Sequence, residues 1–343
     1  MASETSEEPP LTYADLGIPT KEHVTTGILG KSRKLSDLER WEWVFVAVTG
    51  LGLPATLILS LYKLFTTPTA DPDFVFALLL VINTLFCMYY VLHGVLRERP
   101  YEIMILTLAT GVVLLYSILN YALSKQDTVK LVRLILACII GPFIIALGIY
   151  ISRQYYLSGN LIFRTVGANS ALQDMCKALY FFYGVLKLDL QLGMSMVVLI
   201  LSTSTKVDAE DIVVLSVGGV FVIVWFVIGY LGARMENKIL TYIFFGGCPL
   251  EPAYIIYKVV KDSLYLASAQ NHRSELLATC TYVCAGLALI VHVLLIIAMV
   301  IVFRNYGKGL KGKAYGTGEA HYVDPNNSIN NQSDEVAGLP GDA

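Results

Sequence analysis

Charge is what this sequence has least of. Only 15% of its 343 residues are Asp, Glu, Lys or Arg, against 55% hydrophobic, and the mean hydropathy is +0.62. A soluble domain carries about 25% charged residues, so this much charge does not cover a soluble globule of 37.8 kDa. A net charge of −2 with no basic tract excludes nucleic acid as a partner. Cysteine is also sparse. The six (Cys87, Cys138, Cys176, Cys248, Cys280 and Cys284) sit in or beside apolar runs, which offers no disulfide framework. Cys280 and Cys284 share a helical face, but without His or acid companions they read as packing residues.

Other absences narrow the class further. The first forty residues lack an apolar core of the kind a cleavable signal peptide needs, so the first span is expected to act as a signal anchor. There is no His-Glu-x-x-His and no Gly-x-Gly-Asp, and no Asn-Pro-x-x-Tyr closes the last span as in G-protein-coupled receptors. The reading is therefore of a protein that is not an enzyme, with no cofactor and no metal expected.

What the sequence has instead is long apolar runs. A helix crossing ~30 Å of hydrocarbon needs ~20 apolar residues, and stretches near 41–65, 74–96, 101–123, 131–151, 176–201, 211–233 and 277–303 supply them. Trp41, Trp43, Tyr101, Tyr150 and Tyr306 flank them as interfacial anchors. The expected fold class is an all-α integral membrane protein, a polytopic bundle of 7–8 transmembrane helices with short loops, and its partner is the lipid bilayer. The bundle occupies 41–303. Polar tails at 1–40 and 304–343, with 12 and 9 charged residues, are expected to be disordered and to offer sites for protein partners. Tyr13-Ala14-Asp15-Leu16 matches a short adaptor pattern, and Asn326 and Asn331 begin sequons; chance accounts for both.

Residues 239–258 resist assignment. They are apolar enough to span, but Gly246-Gly247-Cys248-Pro249-Leu250-Glu251-Pro252 interrupts them, and 254–266 has an interfacial amphipathic pattern with Lys258, Lys261 and Asp262 off the apolar positions. A broken span, a re-entrant turn and a surface helix all fit. With the N-terminus cytosolic, basic residues number 14 inside and 9 outside for seven spans, or 15 and 8 for eight. Both counts put the N-terminus inside; eight also puts the basic start of the C-terminal tail there. Pro54 and Pro142 read as kinks rather than breaks, and no internal repeat is evident.

Ionisable groups inside a span cost at least ~2.5–3.5 kcal/mol at helix centre and need explaining. Lys187 and Asp189 are the clear cases. Ser170-x-x-Gln173 has capping-box spacing. From there Gln173, Lys177, Tyr180, Gly184, Lys187, Gln191 and Ser195 form one polar stripe. Asp189 lies about 200° around the helix from Lys187, so the two do not pair and each needs another partner. Asn83 and His292 sit at mid-depth on other spans, and Asn120 nearer an end. If Lys187, Gln191, Asn83 and His292 face one interior, they line a midplane cavity for an ion or small solute. Structural roles compete: Lys187 about 8 Å inside the boundary can snorkel, and His292 and Asn83 can serve as interhelical hydrogen bonds. A carrier or channel is the first functional reading, a non-transporting scaffold or receptor-like protein the second, and an intramembrane enzyme the third.

Overall fold

The computed structural model describes residues 24–27, 30–33, 38–68, 72–123, 128–167, 169–199, 209–268 and 272–315. It is an all-α bundle with one short hairpin ahead of it, in which Val24–Gly27 (β1) pairs antiparallel with Gly30–Arg33 (β2). The Tyr13–Leu16 pattern and the Asn326 and Asn331 sequons lie outside the described residues, as do the side chains of Asn120, Asp262 and Cys280.

The first four long helices are Arg40–Thr66 (α1), Pro72–Leu96 (α2), Pro100–Leu123 (α3) and Thr128–Ser158 (α4). A short helix, Asn160–Val166 (α5), leads to Ser170–Val198 (α6) and Ala209–Met235 (α7). Then come Lys238–Gly247 (α8), Leu250–Ser268 (α9), His272–Phe303 (α10) and the short Leu310–Tyr315 (α11). Among the described residues, seven segments are long and apolar enough to cross a membrane, one of them the combined α8–α9 stretch Lys238–Lys261. The apolar part of α3, Pro100–Leu115, is shorter, but the helix itself continues to Leu123. Pro54 and Pro142 lie inside α1 and α4, which run through them unbroken.

Side-chain registers count the crossings. At one end of the first unit, Gln154 Nε2 donates to Glu39 (2.9 Å), Tyr155 OH to Glu42 (2.5 Å) and Ser152 Oγ to the Pro100 carbonyl (3.0 Å). The start of α1, the start of α3 and the end of α4 therefore share an end. In the second unit Thr241 Oγ1 meets Tyr306 OH (3.0 Å), His292 Nε2 meets the Cys248 carbonyl (3.0 Å) and Ser263 Oγ meets Tyr282 OH (3.0 Å). As residue numbers rise along α8–α9 they fall along α10. The interrupted segment thus runs antiparallel to α10 over nearly its whole length. Counting α3 and taking α8–α9 as one pass, the described residues traverse the bundle eight times, and the start of α1 and the end of α10 lie at the same end.

Neighbour order is the same in both halves. Helices α1 to α4 form a ring in sequence order, and α6, α7, α8–α9 and α10 form another. The corner between second and third helix is built alike in each. Glu98 and Glu236 both adopt positive φ (50° and 52°), and Arg99 N and Asn237 N reach back to the carbonyls of Gly94 and Gly232 (2.9 and 3.0 Å). That is a helix C-terminus closed by a left-handed residue. No repeat is evident in the sequence itself.

Between the rings stands α6. Its apolar window is 72% buried, against 22% for α1, and it packs against α2, α3, α7 and α10. The outward faces of the other helices are apolar, with Leu51, Phe65 and Ile239 among the large exposed side chains, as a lipid solvent requires. In α9 the amphipathic pattern does not set an apolar face inward and a polar face outward, although Ile255 is buried. Ile256, Tyr257, Val260 and Leu264 are exposed while Glu251 and Lys258 are buried, which corrects the interfacial reading.

The C-terminal boundary also moves. Residues 304–315, expected to begin a disordered tail, fold back on the bundle. Glu236 accepts from the backbone N–H of Gly307 (2.9 Å) and Lys311 (3.1 Å), and Tyr315 OH meets Tyr183 OH (2.9 Å). Burial beside Tyr183 pushes the Tyr315 phenol up to about 12.

Candidate functional site

The local sequence places α6 with its polar residues inward. Asn169 caps the helix, its side chain accepting from Leu172 N (3.2 Å), one residue before the Ser170 start that the capping-box spacing suggests. From that start Lys187 and Gln191 fall on one face and Asp189 on the opposite one. All three are buried. The single polar interior expected for Lys187, Gln191, Asn83 and His292 does not form. Helix α6 divides these residues between its two sides.

On the side facing the first unit, Lys187 Nζ donates to Glu102 Oε1 at the start of α3. The other Glu102 oxygen meets His93 Nδ1 at 2.5 Å, and Arg99 approaches to 3.9 Å. The Tyr89 ring lies under the Lys187 ammonium (5.1 Å), and Tyr90 OH donates to the Lys187 carbonyl (3.2 Å). Burial alone would lower the Arg99 pKa, but the negative charge of Glu102 outweighs it and the guanidinium is held charged above its ordinary value. This cluster is closely paired and sits near the end where α2 turns into α3. Further along the same face Gln191 Nε2 donates to Asn83 Oδ1 (2.6 Å), and Asn83 Nδ2 donates to the Leu79 carbonyl (2.9 Å) and Ser195 Oγ (3.3 Å). Asn83 also lines a cavity of about 70 Å³ with Thr56, Thr84, Cys87 and Thr110, room for a few waters.

On the other side of α6 the arrangement is different in kind. Asp189 faces His292 of α10 and Glu251 in the first turn of α9. His292 Nδ1 is 3.4 Å from Asp189 Oδ1 and 3.2 Å from Glu251 Oε2, and all three side chains are more than nine-tenths buried. Asp189 Oδ1, Glu251 Oε1 and His292 Nδ1 have no hydrogen-bond partner.

The chain break creates this site. Pro249 has no N–H to continue α8. Gly247 stands where a side chain would strike Trp225 (2.4 Å from an added Cβ), so α8 ends tightly against α7. The freed Cys248 carbonyl accepts from His292 Nε2, and Glu251 sits at the start of α9, where the helix dipole favours a carboxylate. Gly193 clears room opposite: an added Cβ would lie 3.4 Å from Glu251 Oε1 and 3.0 Å from Val222.

Sequence reasoning missed Glu251, Glu102 and His93. Glu251 was masked by the Gly/Pro interruption around it, although an acid beside a break in an apolar run was itself the signal. Glu102 and His93 stand near span ends, where a charge is ordinary.

The chain matches one protein family over residues 29–153 and 166–301, a family described as a domain of unknown function, DUF7789. It belongs to that family. No curated protein and no solved structure matches it. The two matched blocks of this DUF7789 protein coincide with its two four-helix units, the first taking in α1 to most of α4 and the second α6 to most of α10. In this DUF7789 chain the Asp189–Glu251–His292 site lies wholly within the second unit, whereas Lys187 joins the second unit to the first.

Proposed function

We propose that this protein is an ion carrier whose cation occupies the Asp189–Glu251–His292 site at the break between α8 and α9. The observation that carries the reading is the convergence of three buried ionisable side chains, Asp189, Glu251 and His292, at that break, with ligand atoms within 4.8 Å of one another. Buried ionisable groups are costly in hydrocarbon, and a position between two half-helices is where carriers bind ions. In the Lys187–Glu102–His93–Arg99 cluster, by contrast, both Glu102 oxygens face basic side chains, and Lys187 joins the two units. On this reading the protein is not an enzyme.

The basic residues support a cytosolic placement for the end at which α1 begins and α10 finishes. Arg40, Arg99, Arg153, Lys177, Arg234, Lys238 and Arg304 all lie at the helix ends gathered there.

The test is flux into proteoliposomes containing the purified full chain, read with internal indicators for protons, for monovalent cations and for Zn²⁺ or Mn²⁺. Wild-type protein is expected to carry at least one of these, and Asp189→Asn and Glu251→Gln to reduce the rate at least tenfold. Absence of any cation flux, or flux in both variants equal to that of the wild type, contradicts the proposal.

A further inference from the structure

We infer that Asp189, Glu251 and His292 form a binding site for a divalent first-row transition-metal cation, with Zn²⁺ as the fitting probe. The inference rests on reading this site as one that holds a cation, and it assigns the cation's class.

The first argument is the histidine tautomer. A carbonyl oxygen only accepts, so the bond to Cys248 requires the His292 proton on Nε2. In the neutral ring Nδ1 is then a lone pair, and it points at two carboxylates. Without a metal the ring would carry a second proton on Nδ1 between the two carboxylates; with one, Nδ1 and two carboxylate oxygens converge as ligand atoms. Histidine bound through one nitrogen, its other N–H fixed by a backbone carbonyl, is the usual arrangement of a metal ligand.

The second argument is distance. Metal–ligand bonds of about 2.0–2.2 Å set tetrahedral ligand–ligand edges of about 3.3–3.6 Å. The His292–Glu251 and His292–Asp189 separations are 3.2 and 3.4 Å, and the three ligand atoms lie within 4.8 Å of one another. A cation placed between them needs only small side-chain adjustment on the Asp189–Glu251 edge.

The third argument is charge. Two carboxylates and a neutral imidazole carry −2, which a divalent ion cancels in a setting where net charge is costly. One nitrogen and two carboxylate oxygens suit Zn²⁺, Mn²⁺ or Fe²⁺. Three protein ligands leave a further position open, as at zinc sites that exchange or activate a ligand rather than lock the fold.

The experiment uses the purified full chain in detergent. Equilibrium dialysis against buffered Zn²⁺ is expected to leave one ion per chain, and Co²⁺ in its place to give ligand-field absorption without thiolate charge-transfer bands. Asp189→Asn, Glu251→Gln and His292→Gln are each expected to weaken binding at least tenfold. Should a variant fail to fold, the wild-type Co²⁺ spectrum and a rise in wild-type melting temperature with Zn²⁺ still decide the matter. No stoichiometric metal, thiolate bands, or unchanged binding in folded variants overturns the assignment. Proton or monovalent flux with no metal bound overturns the metal assignment and spares the carrier reading. Metal bound at these residues with no flux spares the assignment and overturns the carrier.

Discussion

Lys187 and Asp189 are two residues apart, yet they belong to different sites. The helical offset alone required separate partners, and that much was legible in the sequence. Which partners was not, because Glu102 and Glu251 come from segments 85 and 62 positions away, and no local pattern encodes such a pairing. Lys187 also forms a buried ion pair that is costly to break from one side. Glu102→Gln alone is expected to destabilise the protein by about 3–5 kcal/mol, because it leaves Lys187 a buried charge without its carboxylate. Lys187→Met is expected to cost less, because Glu102 keeps His93 and Arg99. The double variant should regain most of the Glu102→Gln loss. Thermal melts of the three variants in one detergent check this, and simple additivity of the two losses would show that the pair is not coupled. Gly193 makes a finer test of the opposite side. An added methyl presses on Val222 and Glu251 together, so Gly193→Ala is expected to weaken Zn²⁺ binding several-fold in dialysis while the chain still folds. Unchanged binding would show that Glu251 is not held where the site needs it.

At the scale of elements, span boundaries were readable from apolar length and landed within a few residues of most helix ends. The interrupted segment was not, because a Gly/Pro-rich centre and an amphipathic second half fit three placements equally well. Its register against α10 is a tertiary fact. The burial of Lys258 follows from it, for in a spanning helix the polar face turns inward and the apolar face meets lipid. The C-terminal lock was hidden for a related reason. A Gly- and Lys-rich stretch reads as tail until Glu236, in a left-handed corner, is seen to accept from two of its N–H groups. Removing that acceptor with Glu236→Ala is expected to release 304–315 and to speed tryptic cleavage at Arg304, Lys308 and Lys311 several-fold. Equal cleavage rates in wild type and variant would contradict the lock.

At the largest scale the described residues form two four-helix rings with the same neighbour order, and α6 of the second packs against α2 and α3 of the first. The Gly94–Arg99 and Gly232–Asn237 corners share one backbone solution. An even number of crossings returns the chain to the side on which it began. A glycosylation acceptor appended after Ala343 is therefore expected to stay unmodified in microsomes, while one placed between residues 67 and 72 is modified. Modification at both positions would mean an odd number of crossings. Such a result would also remove the reason for treating α8–α9 as the broken span that creates the site.

The metal centre at that break is the central claim, and X-ray absorption at the zinc edge tests it most directly, on the full chain loaded with one equivalent of Zn²⁺ and dialysed. The account predicts retained zinc with one imidazole and oxygen donors at about 2.0–2.2 Å, and loss of the imidazole signature in His292→Gln. Sulfur scattering at about 2.3 Å, or no zinc retained, would contradict it.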